Sequence, residues 1–104
     1  MNFSEKDWKL FKAKVPVWQE NYMARLEEEY IEILQSDKSA ADKFWDLEKR
    51  IRLDKKKKGV LLEATRSNLF LNLVCLVNEN AITLDDLSDF SEELQALVKH
   101  FCQK

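Results

Sequence analysis

Glycine, proline and histidine are almost absent from this sequence of 104 residues, which contains one of each. β-Sheet proteins use glycine and proline at their turns, and glycine-rich loops bind the phosphates of nucleotides, so both kinds of structure are disfavoured. His100 and the two cysteines, Cys75 and Cys102, do not have the spacing of a zinc ligand set. Because no base, nucleophile and orienting group converge in the sequence, we predict no enzymatic activity, no cofactor and no metal site.

Long apolar runs are missing as well. The longest uninterrupted apolar stretch covers residues 73–77, whereas a membrane-spanning helix needs about 20 apolar residues. Charged residues begin at the fifth position of the N-terminal sequence MNFSEKDW. This pattern is not that of a secretory signal. Two reduced cysteines in a protein of the cytoplasm are a simpler interpretation of this sequence than a disulfide. These features predict a cytoplasmic protein without a transmembrane segment.

The residues that are abundant indicate a folded helical domain. Hydrophobic residues make up 45% of the chain and charged residues 35%, a composition typical of one globular domain over residues 1–104. Apolar residues recur at steps of three and four along most of the chain, which is the period of an α-helix. We therefore predict an all-α protein, a compact bundle of four helical segments at about 4–35, 39–53, 60–79 and 83–102. The third segment is apolar around most of its circumference, so we expect it to be the central helix.

Short polar residues mark where these segments begin and end. The pairs Ser4–Asp7, Ser39–Asp42 and Thr83–Asp86 have the spacing of helix N-caps. Asn80 is a candidate stop for the third segment. Two alternatives stay open: Pro16 either lies within one continuous first helix or begins a new one, and Ser91 either lies within the last helix or restarts it.

A basic stretch is the clearest compositional signal for binding. Residues 49–58 contain seven bases and one acid, although the whole chain has a net charge of −2. Asp46–Arg50 and Glu48–Arg52 have the spacing of helix ion pairs, but the lysines at 55–58 have no such partners. An aromatic residue beside unpaired bases could bind an acidic peptide or a nucleotide. The candidate partner-binding residues are Trp45, Lys49, Arg52, Lys55, Lys56, Lys57 and Lys58.

Two further patterns suggest surfaces of other kinds. Leu10, Val17, Ala24 and Ile31 recur every seven residues, away from the main apolar face of the first segment, and are candidates for self-association. Near the start of the third segment, Glu63 and Arg66 lie one helical turn apart. They form either a stabilising ion pair or a polar pocket between helices. The candidate pocket residues are Glu63, Arg66, Asn68 and Asn72.

Residues 45–60 (WDLEKRIRLDKKKKGV), 66–68 (RSN) and 82–90 (ITLDDLSDF) resemble small uncharacterised proteins of Gram-positive bacteria. The resemblance covers about half of the chain and implies a helical fold but no activity. In size and architecture alone, the chain is also similar to bacteriocin immunity proteins. Our leading hypothesis is a non-enzymatic protein-interaction or regulatory module with an unidentified protein partner, for which a homodimer is one candidate state. The alternatives are a weak nucleic-acid binder using residues 49–58, which the pI of 5.5 disfavours, and an immunity-like protein.

Overall fold

The chain folds into α-helices joined by turns, as seen in a computed structural model that describes residues 3–102. The described residues form four α-helices and one short 3-10 helix and contain no strand. The all-α prediction is confirmed. The α-helices are α1 (Glu5–Leu34), α2 (Ala40–Asp54), α3 (Leu69–Asn78) and α4 (Glu92–Phe101), and the 3-10 helix (Leu84–Leu87) lies between α3 and α4.

Helix α1 is continuous through Pro16, which settles the first open alternative. A proline inside a helix removes one backbone hydrogen bond. Phe11 and Val15 before the proline, and Tyr22 and Leu26 after it, are all buried in the same hydrophobic core. Because both halves of α1 bury the same face in that core, tertiary packing keeps the helix in phase across the missing bond.

The third segment begins later than predicted, because residues 60–68 form turns and irregular structure and α3 starts only at Leu69. In an α-helix the carbonyl of Glu63 would accept a hydrogen bond from the amide of Ser67. Here that carbonyl accepts from Asn72 Nδ2 at 3.0 Å. Asn72 is buried, so this long-range bond satisfies a polar side chain that would otherwise be costly inside the protein.

Asn80 ends α3, as predicted. It adopts a left-handed backbone conformation with φ of 64°, and the amide of Ala81 returns to the carbonyl of Leu76 at 2.9 Å. This is the hydrogen bonding of a Schellman motif, which uses a left-handed residue to close a helix. Arg25 Nη2 on α1 donates to the carbonyls of Asn80 and Ala81 at 2.9 and 3.1 Å, so the turn is also tied to α1.

The last segment is two separate elements, which settles the second alternative. The amide of Thr83 donates to Asp86 Oδ2 at 2.7 Å, so the predicted capping pair is present but opens the short 3-10 helix. Ser91 then caps α4, its Oγ accepting from the amide of Leu94 at 3.3 Å.

The hydrophobic core joins one face of α1 to α3, the 3-10 helix and α4. Its fully buried members are Phe11, Leu69, Leu73, Leu76, Leu87, Leu94 and Val98. The radius of gyration is 16.2 Å, whereas a compact domain of this length should be near ~13 Å, so the molecule is more extended than the compact bundle we predicted. Leu71 on α3 is 60% exposed, and the central position predicted for this helix is not confirmed.

Candidate functional site

Helix α2 is attached to α1 by polar contacts around one buried carboxylate. Asp54 is 2% exposed and accepts hydrogen bonds on Oδ2 from Tyr30 Oη at 2.6 Å and Arg50 Nε at 3.1 Å. Its Oδ1 forms an ion pair with Lys57 Nζ at 3.3 Å. Arg50 also bonds Glu29 on α1 at 2.8 Å. This network fixes the C-terminal end of α2 against α1.

Three members of this network have raised pKa values that keep it intact: Tyr30, Arg50 and Lys57. Burial, together with the hydrogen bond to the Asp54 carboxylate, raises the pKa of Tyr30 well above its ordinary value. The hydrogen bond to Glu29 raises the pKa of Arg50. Burial lowers the pKa of Lys57, but the interactions with Tyr22 and Asp54 outweigh it. Tyr30 therefore stays neutral and donates a hydrogen bond to Asp54 throughout the physiological pH range, while Arg50 stays charged.

Only one of the two ion pairs predicted within α2 forms. Arg52 Nε lies 3.6 Å from Glu48 Oε2, as its spacing predicted. The predicted Asp46–Arg50 pair is wrong, because Asp46 accepts from Lys38 at 2.7 Å while Arg50 turns toward α1. Sequence spacing could not identify Lys38 or Glu29, since both lie outside α2.

Phe44 and Trp45 stand in solvent on the first half of α2. Their side chains are 62% and 63% exposed, and their rings contact each other edge to face with centroids 5.0 Å apart. Among the fifteen residues of α2, all within the described range, only Asp54 is buried. The hydrophobic residues of α2 are therefore not used to build the core of this chain.

The candidate binding residues on α2 share its outward face. Trp45 and Asp54 are nine residues apart, which is about two and a half turns of an α-helix and places them on opposite sides. Because Asp54 faces α1, Trp45 points away from it. Lys49 and Arg52 follow Trp45 by one and two turns and are exposed on the same side. We call Trp45, Lys49 and Arg52 the outward face of α2.

The lysine run at 55–58 is only partly free. The first two lysines are exposed. The expectation that all four have no partner is wrong for Lys57, which pairs with Asp54. Lys58 is half-buried and its amide donates to Glu79 Oε1 at 2.8 Å, as does the amide of Gly59 at 3.3 Å. The second half of the run is therefore a structural turn, held by the carboxylate that follows α3.

A shallow apolar groove runs along the other side of α2. One part lies on α2 alone and the other lies between α2 and α1, and Ile51 and Lys55 line both parts. The two parts have volumes of about 370 and 230 Å³, one slightly above and one below the ~300 Å³ at which small-molecule pockets begin. The apolar lining, which we call the α1–α2 groove, is Met23, Leu26, Tyr30, Phe44, Leu47, Ile51 and Val60.

Sequence reasoning found only part of this groove. The helical spacing of Phe44, Leu47 and Ile51 in the sequence indicates one apolar stripe of α2, but it does not indicate the contributions of α1 and Val60. The weak signal for them is that Met23 and Tyr30 are seven residues apart beside the core face of α1. A contact with α2 could not be inferred from that spacing alone.

The candidate pocket residues lie at the connection into α3. Arg66 turns away from Glu63 and pairs with Glu5 at 3.1 Å, with its guanidinium 5.5 Å from the Trp8 ring. Glu63 contributes its backbone carbonyl to the buried Asn72 rather than its carboxylate. The amide of Asn68 donates to Thr65 Oγ1 at 3.2 Å, in the turn that precedes α3. These contacts hold the connection into α3. The Glu63–Arg66 ion pair does not form, because Arg66 pairs with Glu5, and a polar pocket at these four residues stays a prediction.

The candidate self-association residues are distributed along the solvent side of α1. Val17, Ala24 and Ile31 are exposed, and Leu10 is half-buried. Leu10 also borders a hollow with Lys6, Lys9 and Ala13 near the start of α1. Ala24 is small, so the stripe has no large apolar side chain between Val17 and Ile31.

The remaining chemistry-bearing side chains do not converge. His100 is exposed on α4 and contacts the Phe101 ring, with centroids 4.9 Å apart. Within residues 3–102, no three His, Cys, Asp or Glu side chains are placed to hold a metal ion. No helix in this described part of the chain has the length and apolar character to cross a membrane. Comparison with family models, with curated proteins and with solved structures found no match to this chain.

Proposed function

We propose that this chain is a non-enzymatic, cytoplasmic protein-interaction module whose partner binds the outward face of α2. The observation that carries this proposal is the position of Trp45, which is 63% exposed on a helix held by polar contacts. Tryptophan is enriched among the residues that dominate binding energy at protein interfaces. On the surface of an isolated monomer, the exposed part of its apolar area contributes nothing to folding.

The charges around Trp45 indicate what kind of protein would bind. Lys49 is exposed one turn away, and Arg52 is exposed two turns away, where its only ion pair in the described residues is the long one with Glu48. A complementary surface would have an apolar pocket for the indole and Asp or Glu side chains at its rim. We therefore propose an acidic protein partner whose apolar pocket accommodates the Trp45 side chain.

Nucleic-acid binding, the alternative for the same residues, has less support. A nucleic-acid interface needs a continuous basic face. Lys57 is engaged by Asp54, and the acids Glu48 and Asp46 lie on the same helix as Trp45. An affinity for RNA or DNA that falls steeply with added salt and is lost when Lys49, Lys55 and Lys56 are replaced by alanine would favour this alternative.

Capture experiments with matched variants test the proposed function. Tagged wild-type chain, Trp45→Ala and Leu71→Ala would be compared under identical conditions, since Leu71 is a similarly exposed apolar residue on α3. We expect a protein that is retained by the wild type and by Leu71→Ala but reduced about tenfold or more by Trp45→Ala, as for an interface anchor of about 2 kcal/mol. Equal retention by Trp45→Ala, or no retained protein at all, would contradict the proposal.

A further inference from the structure

The α1–α2 groove is an apolar surface that the chain itself does not cover. Phe44 is 62% exposed and Ile51 38% exposed. These side chains lie on a different side of α2 from Trp45. The groove is therefore a second surface, which shares only Arg52 with the outward face of α2.

The apolar pattern along α2 is typical of a helix that packs against another helix. Ala40, Phe44, Leu47 and Ile51 recur at alternating steps of four and three, which is the spacing of a helix–helix seam. A helix of 15 residues is marginal in water unless such a stripe is buried, since isolated helices shorter than about 12–15 residues are unstable. Within this chain α2 buries a carboxylate in place of its apolar stripe, so the stripe needs an external partner.

The charges on the groove indicate which partner fits. Its exposed charged residues are two acids and two bases, Glu27, Glu48, Arg52 and Lys55. A third acid, Asp54, is buried and already paired with Arg50 and Lys57. A surface with this balance does not select a strongly acidic or strongly basic ligand. It is complementary to itself, because a two-fold axis presents the same patch to its own copy and can place each acid opposite a base.

We infer that the α1–α2 groove is a homodimer interface and that its occupant is a second copy of this chain. The second half of α1 and α2 from each copy would form a four-helix arrangement, with the two apolar stripes of α2 at its centre. Phe44, Leu47 and Ile51 would be buried in the dimer, and the four exposed charged residues of the groove would form its rim. This inference goes beyond the proposed function, which uses the outward face of α2.

This interface differs from the heptad stripe predicted on α1. That stripe, Leu10, Val17, Ala24 and Ile31, offers one apolar residue every seven positions, whereas the groove combines residues from two helices. Because Val17 is 58% exposed and lies on the solvent side of α1, it provides a matched control. Substituting it changes an exposed apolar residue of the same chain without touching the groove.

The mass of the chain in solution tests the inference. Light scattering coupled to size exclusion should give twice the 12.3 kDa of one chain for the wild type and for Val17→Glu. It should give a single-chain mass for Phe44→Glu. Circular dichroism of each variant would establish that the helices are retained. A wild-type monomer over the whole dilution series, or a dimer broken by Val17→Glu but kept by Phe44→Glu, would overturn the inference.

A charge-reversal pair tests it without altering the apolar residues. Arg52→Glu/Lys55→Glu makes the groove acidic, and Glu27→Lys/Glu48→Lys makes it basic. Each variant alone should be monomeric because like charges meet across the two-fold axis, and an equimolar mixture should form a dimer. Failure of the mixture to associate, when both variants keep the circular dichroism of the wild type, would count against the groove as the interface.

The two proposals fail in different ways. Trp45→Ala should leave the dimer mass unchanged, because Trp45 lies outside the groove. A dimer that retains no other protein would keep this inference and remove the proposed function. A monomer that still captures a protein through Trp45 would do the reverse.

Discussion

Asp7 in the first turn of α1 accepts two hydrogen bonds from Ser91, which is 84 residues further along the chain. The Ser91 amide donates to Oδ1 at 2.8 Å and the Ser91 hydroxyl donates to Oδ2 at 2.7 Å. Asp7 is 1% exposed, and the same Ser91 hydroxyl accepts from the amide of Leu94. One buried carboxylate therefore joins the start of α1 to the N-cap of α4.

Replacing Asp7 with alanine should destabilise the fold. The change removes both acceptors and leaves the Ser91 amide buried without its partner, and a hydrogen bond to a charged group contributes about 1.5–3 kcal/mol. We expect the free energy of unfolding, measured by urea denaturation, to fall by about 2–4 kcal/mol. Asp37→Ala, in the exposed turn between α1 and α2, should change it by less than about 0.5 kcal/mol. A similar small loss in both variants would contradict the role assigned to Asp7.

Tyr30 should titrate at unusually high pH and link stability to pH. Its pKa is raised in the folded chain by burial and by the bond to Asp54, so its contribution to stability is complete below the ordinary tyrosine value of about 10 and is lost as pH rises through the folded value. Tyrosinate absorbance should show an ionisation phase at unusually high pH, and this phase should disappear in Tyr30→Phe. The variant should also lose less stability than the wild type in alkaline solution. Identical alkaline profiles would rule out the link.

Gly59→Ala should be destabilising although Gly59 lies in a turn. A Cβ at this position would lie within 2.7 Å of Tyr22 Cε2, and Gly59 and Tyr22 are both buried. Because the ring is packed in the core, it cannot move without disturbing its neighbours, so we expect a loss of about 1–3 kcal/mol in unfolding free energy. Restoration of stability by Tyr22→Leu in the Gly59→Ala background would confirm the cause. An unchanged melting temperature for Gly59→Ala would be the contrary result.

Substitution of two leucines on α3 should have very different effects on stability. Leu73 is fully buried, so Leu73→Ala leaves a cavity and should cost about 2–5 kcal/mol. Leu71 is 60% exposed, so Leu71→Ser should change stability by less than about 0.5 kcal/mol. Chemical denaturation of both variants would check the pair. A large loss for Leu71→Ser would mean that this side of α3 is covered.

The local features of the fold could be predicted from the sequence. Helical periodicity and the caps at Ser4 and Ser39 depend on residues within one or two turns of each other, and both caps form as predicted. The stop at Asn80 is equally local. The all-α class follows from these short-range preferences, which tertiary packing did not override.

Long-range contacts decided the rest. Whether residues 60–68 continued into a helix depended on Asn72 taking the Glu63 carbonyl and on Glu79 holding the turn at Lys58. Whether Pro16 broke α1 depended on a core that buries both halves of the helix. The sequence alone determined the helical class and the caps, together with the face of each helix that is apolar. Only the tertiary structure decided which of those faces are covered, because burial depends on residues that spacing along the chain does not bring together.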